Sequence, residues 1–266
     1  MPDTRLLSEA GIIAALRTPL IGRKLVYLAS CTSTMNLASR EAAHGAPDGA
    51  VVLADAQTAG RGRLGRAWVS PPGQALYLSV ILRPNPERLL AVNMAATLAI
   101  VYALRDACGL PVRVKWPNDI LSRGRKLAGV LIDADVTPGA AQVIAGIGLN
   151  LSLDPAAHPE IAAIATSVQH ELGHPVAPIP VLAALLEQFE WLYLRAQAGA
   201  SLLEEWRAAL DTLGRQVTVT YAAYAGGHRG VERGLAYDVD EDGSLLLRRD
   251  DGSTARVVAG EVTLSA

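Results

Sequence analysis

Two rhythms of apolar and polar positions divide the 266-residue chain. Up to residue 213, apolar runs of strand length at 24–29, 51–55, 75–82, 112–116, 126–133 and 142–151 alternate with stretches of helical spacing. The helical spacing predicts helices over 5–16, 35–43 and 87–108, and over 178–213 with a break near Gly199. Gly109 stands where the third helix needs a left-handed terminal residue. Leu6, Ile12, Ile13 and Leu16 are expected on the buried side of the first helix. Leu185, Phe189, Leu192, Leu202, Trp206 and Leu210 are the core candidates of the last. After Leu213-Gly214-Arg215 only strands follow, at 217–221, 230–239, 244–248 and 255–264, with Asp242-Gly243 and Asp251-Gly252 as hairpin turns. The pattern predicts two units: residues 1–213, and a small five-stranded or SH3-like β-barrel over 214–266. There is no internal repeat and no low-complexity tract.

The loop between the second and third strands breaks the apolar pattern most sharply. It reads Thr58-Ala-Gly60-Arg61-Gly62-Arg63-Leu64-Gly65-Arg66, and no acidic residue occurs from Ala56 to Pro86. Glycines let backbone approach a ligand closely, and guanidinium forks suit phosphate or carboxylate. The loop therefore reads as an anion cradle. Its letters also satisfy G-x-G-x-x-G and nearly satisfy a P-loop. Both of those need a helix directly after the glycines, and Trp68-Val69-Ser70-Pro71-Pro72-Gly73 cannot supply one. A dinucleotide fold and a P-loop are excluded.

Composition narrows the rest. Half of the residues are hydrophobic, with a single Phe, so the core is aliphatic. A net charge of −2 gives no general attraction to nucleic acid, so anion binding must be local and no DNA partner is expected. The stretch at 5–16 is also too short for a helix-turn-helix with its supporting helix. Cys31 and Cys108 lack any C-x-x-C or Cys/His spacing, which predicts reduced thiols and a reducing compartment. The N-terminus has no signal-peptide run. The longest apolar segment, 89–104, is interrupted by Asn93 and Thr97. A cytoplasmic protein with no membrane association is expected.

Other chemistry gathers at strand ends. Ser30-Cys31-Thr32-Ser33-Thr34 precedes a helix, and its hydroxyls either cap that helix or face a polar ligand. Gln57 can donate and accept, as an amide- or urea-like group requires, or serve structure alone. Lys115, Asn118 and Asp119 crowd a cation, an amide and a carboxylate together. Beside the arginine loop they suit Mg²⁺ and a triphosphate, with Asp119 as the hard oxygen ligand. Lys126 opens a strand. Gly146 and Gly148 flatten one sheet face for a planar group. Asn150 either reads a base edge or ends its strand.

With these residues assembled, the chain resembles the bacterial biotin–protein ligases. The matching pieces are Ser33-Thr34, the run from Gln57 to Trp68, Lys115-Trp116-Pro117-Asn118-Asp119, Lys126-Leu127-Ala128-Gly129 and Gly146-Ile147-Gly148-Leu149-Asn150, all in the family's order. The resemblance implies an α+β, class II aminoacyl-tRNA-synthetase-like catalytic domain with a mixed sheet flanked by helices, plus the small C-terminal barrel. It implies activation of biotin with MgATP to biotinyl-5′-AMP, then transfer to one lysine of a biotin carboxyl carrier protein. Ser33, Thr34 and Gln57 would hold the ureido ring with Gly60 and the backbone of Arg61 and Gly62. Arg63, Trp68 and Gly129 would lie against biotin, and Lys126 at its carboxylate. Arg63, Arg66, Lys115 and Asn118 would face the nucleotide phosphates, Asp119 the metal and Asn150 the adenine; Lys126, Arg63, Lys115 and Asp119 form the catalytic set. The loop is expected to order over bound ligand. Met35 departs from the family's Ser-Thr-Asn motif, which leaves the role of Asn36 open. The DNA-binding domain of repressor-type members is not found, which argues against a transcriptional role. A lipoate–protein ligase is the nearest rival and a non-catalytic biotin sensor the more distant one. Homodimer formation stays open.

Overall fold

The computed structural model describes residues 7–221 and 230–264. Eighteen helices and strands follow one another in these segments. In order they are α1 (Glu9–Ala15), β1 (Leu25–Leu28), α2 (Thr34–Ala43), β2 (Val51–Ala54), β3 (Ala75–Leu82), α3 (Ala91–Cys108), β4 (Arg113–Lys115), β5 (Asp119–Ser122), β6 (Arg125–Thr137), β7 (Ala140–Asn150), α4 (Val168–Leu172), α5 (Pro178–Gln197) and α6 (Leu203–Ala209), then β8 (Gln216–Thr220), β9 (Val231–Val239), β10 (Leu245–Arg248), β11 (Thr254–Val257) and β12 (Glu261–Leu264).

Seven strands form one mixed sheet in the order β1-β2-β3-β7-β6-β5-β4, in which only β1 and β2 run parallel. Strand β3 is buried at every position, which explains its unbroken apolar run. Alternate side chains serve opposite faces. Val51, Leu53, Leu78 and Val80 join the core under α3 and α5. Val52, Ile81 and Ile144 pack with Met35, Ala38 and Ala42 of α2 on the other face. Among the described helices, α3 alone is long and apolar enough to cross a membrane, and it lies instead in the protein core.

The second sheet is antiparallel, in the order β11-β10-β9-β8-β12, so β11 and β12 are its two edges. Asp242-Gly243 and Asp251-Gly252 form the expected turns, each with a left-handed glycine. Val217, Val239, Leu245 and Val262 belong to the same apolar cluster as α3 and α5, so one continuous core joins the two sheets. Trp116 Nε1 reinforces that junction by donating to Gly243 O at 2.8 Å, and Arg207 Nε by reaching Asp238 at 2.7 Å.

The differences from the sequence pattern have local causes. Helix 5–16 shortens to α1; Leu6 lies outside the described residues. Ile13 is 55% exposed, because so short a helix buries a single face, that of Ile12. The stretch at 87–108 splits, since Pro86 opens a separate 3₁₀ turn, capped by the Asn85 side chain, before α3. Helix 178–213 breaks into α5 and α6 at Gly199 (φ 98°), as its spacing suggested. Its six core candidates are all buried. The strand expected at 112–116 stops before Pro117 as β4; Trp116-Pro117-Asn118 form the bend of a hairpin whose return strand, β5, has no signal beyond Ile120 and Leu121. Strand 255–264 divides into β11 and β12 around Gly260.

A buried carboxylate fastens the entry to the first strand. Glu190 of α5 is 5% exposed and accepts from Leu20 N at 2.8 Å and Ile21 N at 2.5 Å. Glu190→Ala strands both amides. It is expected to lower stability by about 3 kcal/mol, read from the urea unfolding midpoint; an unchanged midpoint would refute the tie.

Candidate functional site

A cavity of about 520 Å³ opens where the glycine–arginine loop, strands β6 and β7, the β4–β5 hairpin and β12 meet. The loop forms a narrow hairpin. Gly62 N donates to Arg66 O at 2.8 Å and Trp68 N to Gly60 O at 2.9 Å, while Leu64 (φ 57°) and Gly65 (φ 74°) turn its tip. No helix follows, in agreement with the exclusion of a P-loop. Gly60 is needed for close approach, since a Cβ there would lie 2.5 Å from Trp68 O.

Five cations line the cavity (Arg61, Arg63, Arg66, Lys115 and Lys126) against three carboxylates (Asp119, Glu160 and Glu261). This local excess sits in a chain whose net charge is −2. Arg61 donates to Asn36 Oδ1 at 2.9 Å and lies 3.7 Å from Asp133, which gives Asn36 a loop-holding contact. Arg63 donates to Asn118 Oδ1 at 2.9 Å and to Gly260 O at 2.8 Å. Arg66 pairs with Glu261. Lys126 Nζ is 2.6 Å from Asp119 Oδ1 and 5.1 Å from the Trp68 ring centre. Burial holds the Lys115 ammonium below the usual lysine range, with Asp119 opposing that shift and Lys126 adding to it.

The flat sheet face expected at Gly146 and Gly148 exists, but the planar group lying on it is the protein's own. Gly129 and Gly148 are cross-strand partners in β6 and β7. A Cβ on Gly148 would meet the Trp68 indole at 2.6 Å, and one on Gly129 would meet it at 3.1 Å. Met35 occupies the corresponding space over Gly146, its Sδ 2.6 Å from where a Cβ would stand.

The hydroxyl cluster resolves residue by residue. Ser33 occupies the N-cap position of α2, yet its side chain caps nothing, and Ser33 Oγ is buried without a hydrogen-bond partner. Thr34 Oγ1 accepts from Ser79 Oγ at 2.9 Å and donates to Gln57 Oε1 at 3.2 Å. Gln57 also accepts from Thr34 N and donates Nε2 to Ser70 Oγ at 3.0 Å, so its amide orientation is fixed. Asn150 ends β7 and is 3% exposed; Nδ2 donates to Thr166 O at 3.0 Å, while Oδ1 is buried and unpaired. Trp68 Nε1 is likewise buried and unpaired.

Of the residues assigned to biotin, nucleotide or metal from the sequence, all line this cavity except Ser33 and Gly60. Those missed include Glu261 and Val262 of β12, the 160–165 segment with Ile161, Ile164 and Ala165, and Leu131. Each reads locally as ordinary strand or loop, and only the tertiary fold brings it there. Among the described residues no group of three His, Cys, Asp or Glu side chains could hold a metal ion by itself.

A lysine whose pKa falls on folding costs stability in full below its folded value, and that cost fades as pH rises from the folded to the unfolded value. Lys115→Met is therefore expected to keep or raise the urea midpoint at pH 7 while abolishing whatever anion chemistry the cavity performs. A lower midpoint would show that Lys115 is not held against its preference.

The biotin/lipoate A/B protein ligase family matches residues 27–150, and the biotin protein ligase C-terminal domain matches residues 212–265. The chain is 33% identical over 255 residues to the bifunctional ligase/repressor BirA of Bacillus subtilis (strain 168), covering 92% of this chain and 76% of that protein. It is 35% identical to the biotin–acetyl-CoA-carboxylase ligase of Paracoccus denitrificans over 83% of this chain and 93% of that one. For the ligase of the same name from Mycobacterium tuberculosis, identity is 34% and coverage 93% of both. Among solved structures, the biotin protein ligase of Aquifex aeolicus in complex with biotin and ATP superposes with a TM-score of 0.75 at 26% identity, over 91% of this chain and 99% of that one.

Proposed function

Since this chain belongs to the biotin/lipoate A/B protein ligase family and is an ATP-dependent biotin ligase, we propose that the cavity runs two half-reactions. In the first, a biotin carboxylate oxygen attacks the α-phosphorus of ATP, pyrophosphate leaves, and biotinyl-5′-AMP forms. In the second, the ε-amine of one lysine on a biotin carboxyl carrier protein attacks the acyl carbon, and AMP leaves. Residues 1–213 would carry the chemistry, and 214–266 would close one wall of it through β12.

The observation that carries this reading is the charge arrangement: an excess of cations at one cavity, beside a buried hydroxyl without a partner. Ser33 Oγ, Thr34 and Gln57 would meet the ureido group, with Gly60 and the backbone of Arg61 and Gly62. The Trp68 indole, seated on Gly129 and Gly148, would cover the ring system. Lys126 would take the biotin carboxylate, for which the Asp119 carboxylate now stands in at 2.6 Å. Arg63, Arg66, Lys115 and Asn118 would face the phosphates, where fixed cations stabilise the charge that builds up in transfer. Asn150 would meet the adenine.

Magnesium fits this donor set only as an ion arriving with the nucleotide. Asp119 offers one hard oxygen, phosphate oxygens and water would supply the others, and the ion would neutralise charge on the phosphates. Lys126 moving to the biotin carboxylate would free Asp119 for that contact. Such a reaction needs ATP, biotin and a carrier in one compartment, which supports the cytoplasm as its location.

The test is biotin-dependent ATP–pyrophosphate exchange, with lipoate as the competing acid. Exchange is expected with biotin and not with lipoate; the reverse, or none with either, would sink the reading. Lys126→Ala is expected to slow exchange by about two to three powers of ten with an unchanged circular dichroism spectrum. A wild-type rate in that variant would remove Lys126 from its assigned place.

A further inference from the structure

One buried carboxylate is left over by the chemistry above. The Glu171 side chain, on α4, is 4% exposed. It accepts from Thr166 Oγ1 at 2.6 Å and from Ser122 Oγ at 2.9 Å, while its nearest cation, the exposed Arg123, stays 3.6 Å away. Burying a carboxylate against two hydroxyls and a solvent-screened arginine is unfavourable unless the geometry it enforces is used.

That geometry leads to the cavity. Thr166 is fully buried. Its N–H donates to Lys126 O at 2.9 Å, and Lys126 N donates to Ile164 O at 2.7 Å, so residues 164–166 lie along the start of β6. The Thr166 carbonyl then accepts from Asn150 Nδ2 at 3.0 Å. This bond decides how the Asn150 amide faces. With its nitrogen held by a carbonyl, its oxygen is turned away, because two facing oxygens would repel. Asn150 Oδ1 is the buried acceptor without a partner, on a residue that lines the cavity. An acceptor in that position wants a donor from a ligand.

We propose that Glu171, acting through Thr166, is a positioning residue that keeps the Asn150 oxygen toward the cavity and so selects the base of the nucleotide. Adenine presents an amino donor beside N7, where guanine presents a carbonyl acceptor. A guanine in the same pose would set O6 against Oδ1. The inference rests on the reading of Asn150 as the base contact, and goes beyond it by assigning what orients that contact.

The experiment is pyrophosphate exchange at saturating biotin with ATP or GTP varied, for wild type and for Thr166→Val, Glu171→Ala, Glu171→Gln, Asn150→Ala and the double variant Thr166→Val/Asn150→Ala. Thr166→Val removes the hydroxyl at nearly constant shape, so it reports even if Glu171→Ala fails to fold. It is expected to raise KM for ATP by about tenfold and to narrow the ATP-over-GTP preference by a similar factor, with KM for biotin unmoved. Glu171→Gln, whose amide oxygen still accepts from Thr166, should retain most of the preference. The double variant should be no worse than Asn150→Ala. If Thr166→Val raises KM for biotin and ATP alike, or leaves the preference intact while Asn150→Ala loses it, the positioning role is wrong and the base contact stands. If Asn150→Ala keeps the preference, the base contact falls and this proposal falls with it.

Discussion

Five cationic side chains around one cavity repel each other, and the fold has to hold them there before any anion arrives. Four of them have an acceptor supplied by the protein: Asn36 for Arg61, Asn118 and the Gly260 carbonyl for Arg63, Glu261 for Arg66, Asp119 for Lys126. Lys115 shows what the arrangement costs, since burial outweighs the help it receives from Asp119. The acceptors are of the kind that a carboxylate or phosphate oxygen can replace. The cavity is thus preorganised for negative charge without needing to rebuild itself when that charge appears.

Shape and charge are coupled through Trp68. Its indole rests on a floor made by two cross-strand glycines, and the lysine ammonium lies over the same ring. Any side chain at Gly148 would lift the indole, and the indole is continuous with the hairpin that carries the arginines. A sheet position with no side chain therefore governs where guanidinium groups stand several residues away. Glycine is tolerated inside these strands, where it ordinarily weakens them, because Trp68 supplies the missing packing.

Most of the architecture was legible because the chain's apolar periodicity is clean. Strand β3, buried on both faces, and α3, ended by the left-handed Gly109, are each written in their own residues. The cavity was legible for a different reason: loop chemistry at strand ends, glycines beside arginines and hydroxyls in excess of one cap, does not arise from packing needs. What sequence left out is contact between distant segments. Nothing around Glu261 or Thr166 announces its contacts, Glu261 meeting Arg66, 195 residues away, and Thr166 lying against Lys126 of β6. The glycine floor was anticipated as a flat surface, but its occupant was not, because Trp68 and Gly148 are brought together only by the fold of the loop. Strand β5 carries no signal of its own because it is only four residues long and begins with a carboxylate.

One acceptor of Arg63, the Gly260 carbonyl, and the partner of Arg66, Glu261, come from 197 and 195 residues further along the chain. During synthesis the seven-stranded sheet and its arginine hairpin emerge long before β12 does. In that interval Arg61 and Arg63 can already meet Asn36, Asp133 and Asn118, while the Gly260 and Glu261 contacts are still to come. Full mooring of the hairpin is therefore deferred until β12 has emerged and paired with β8.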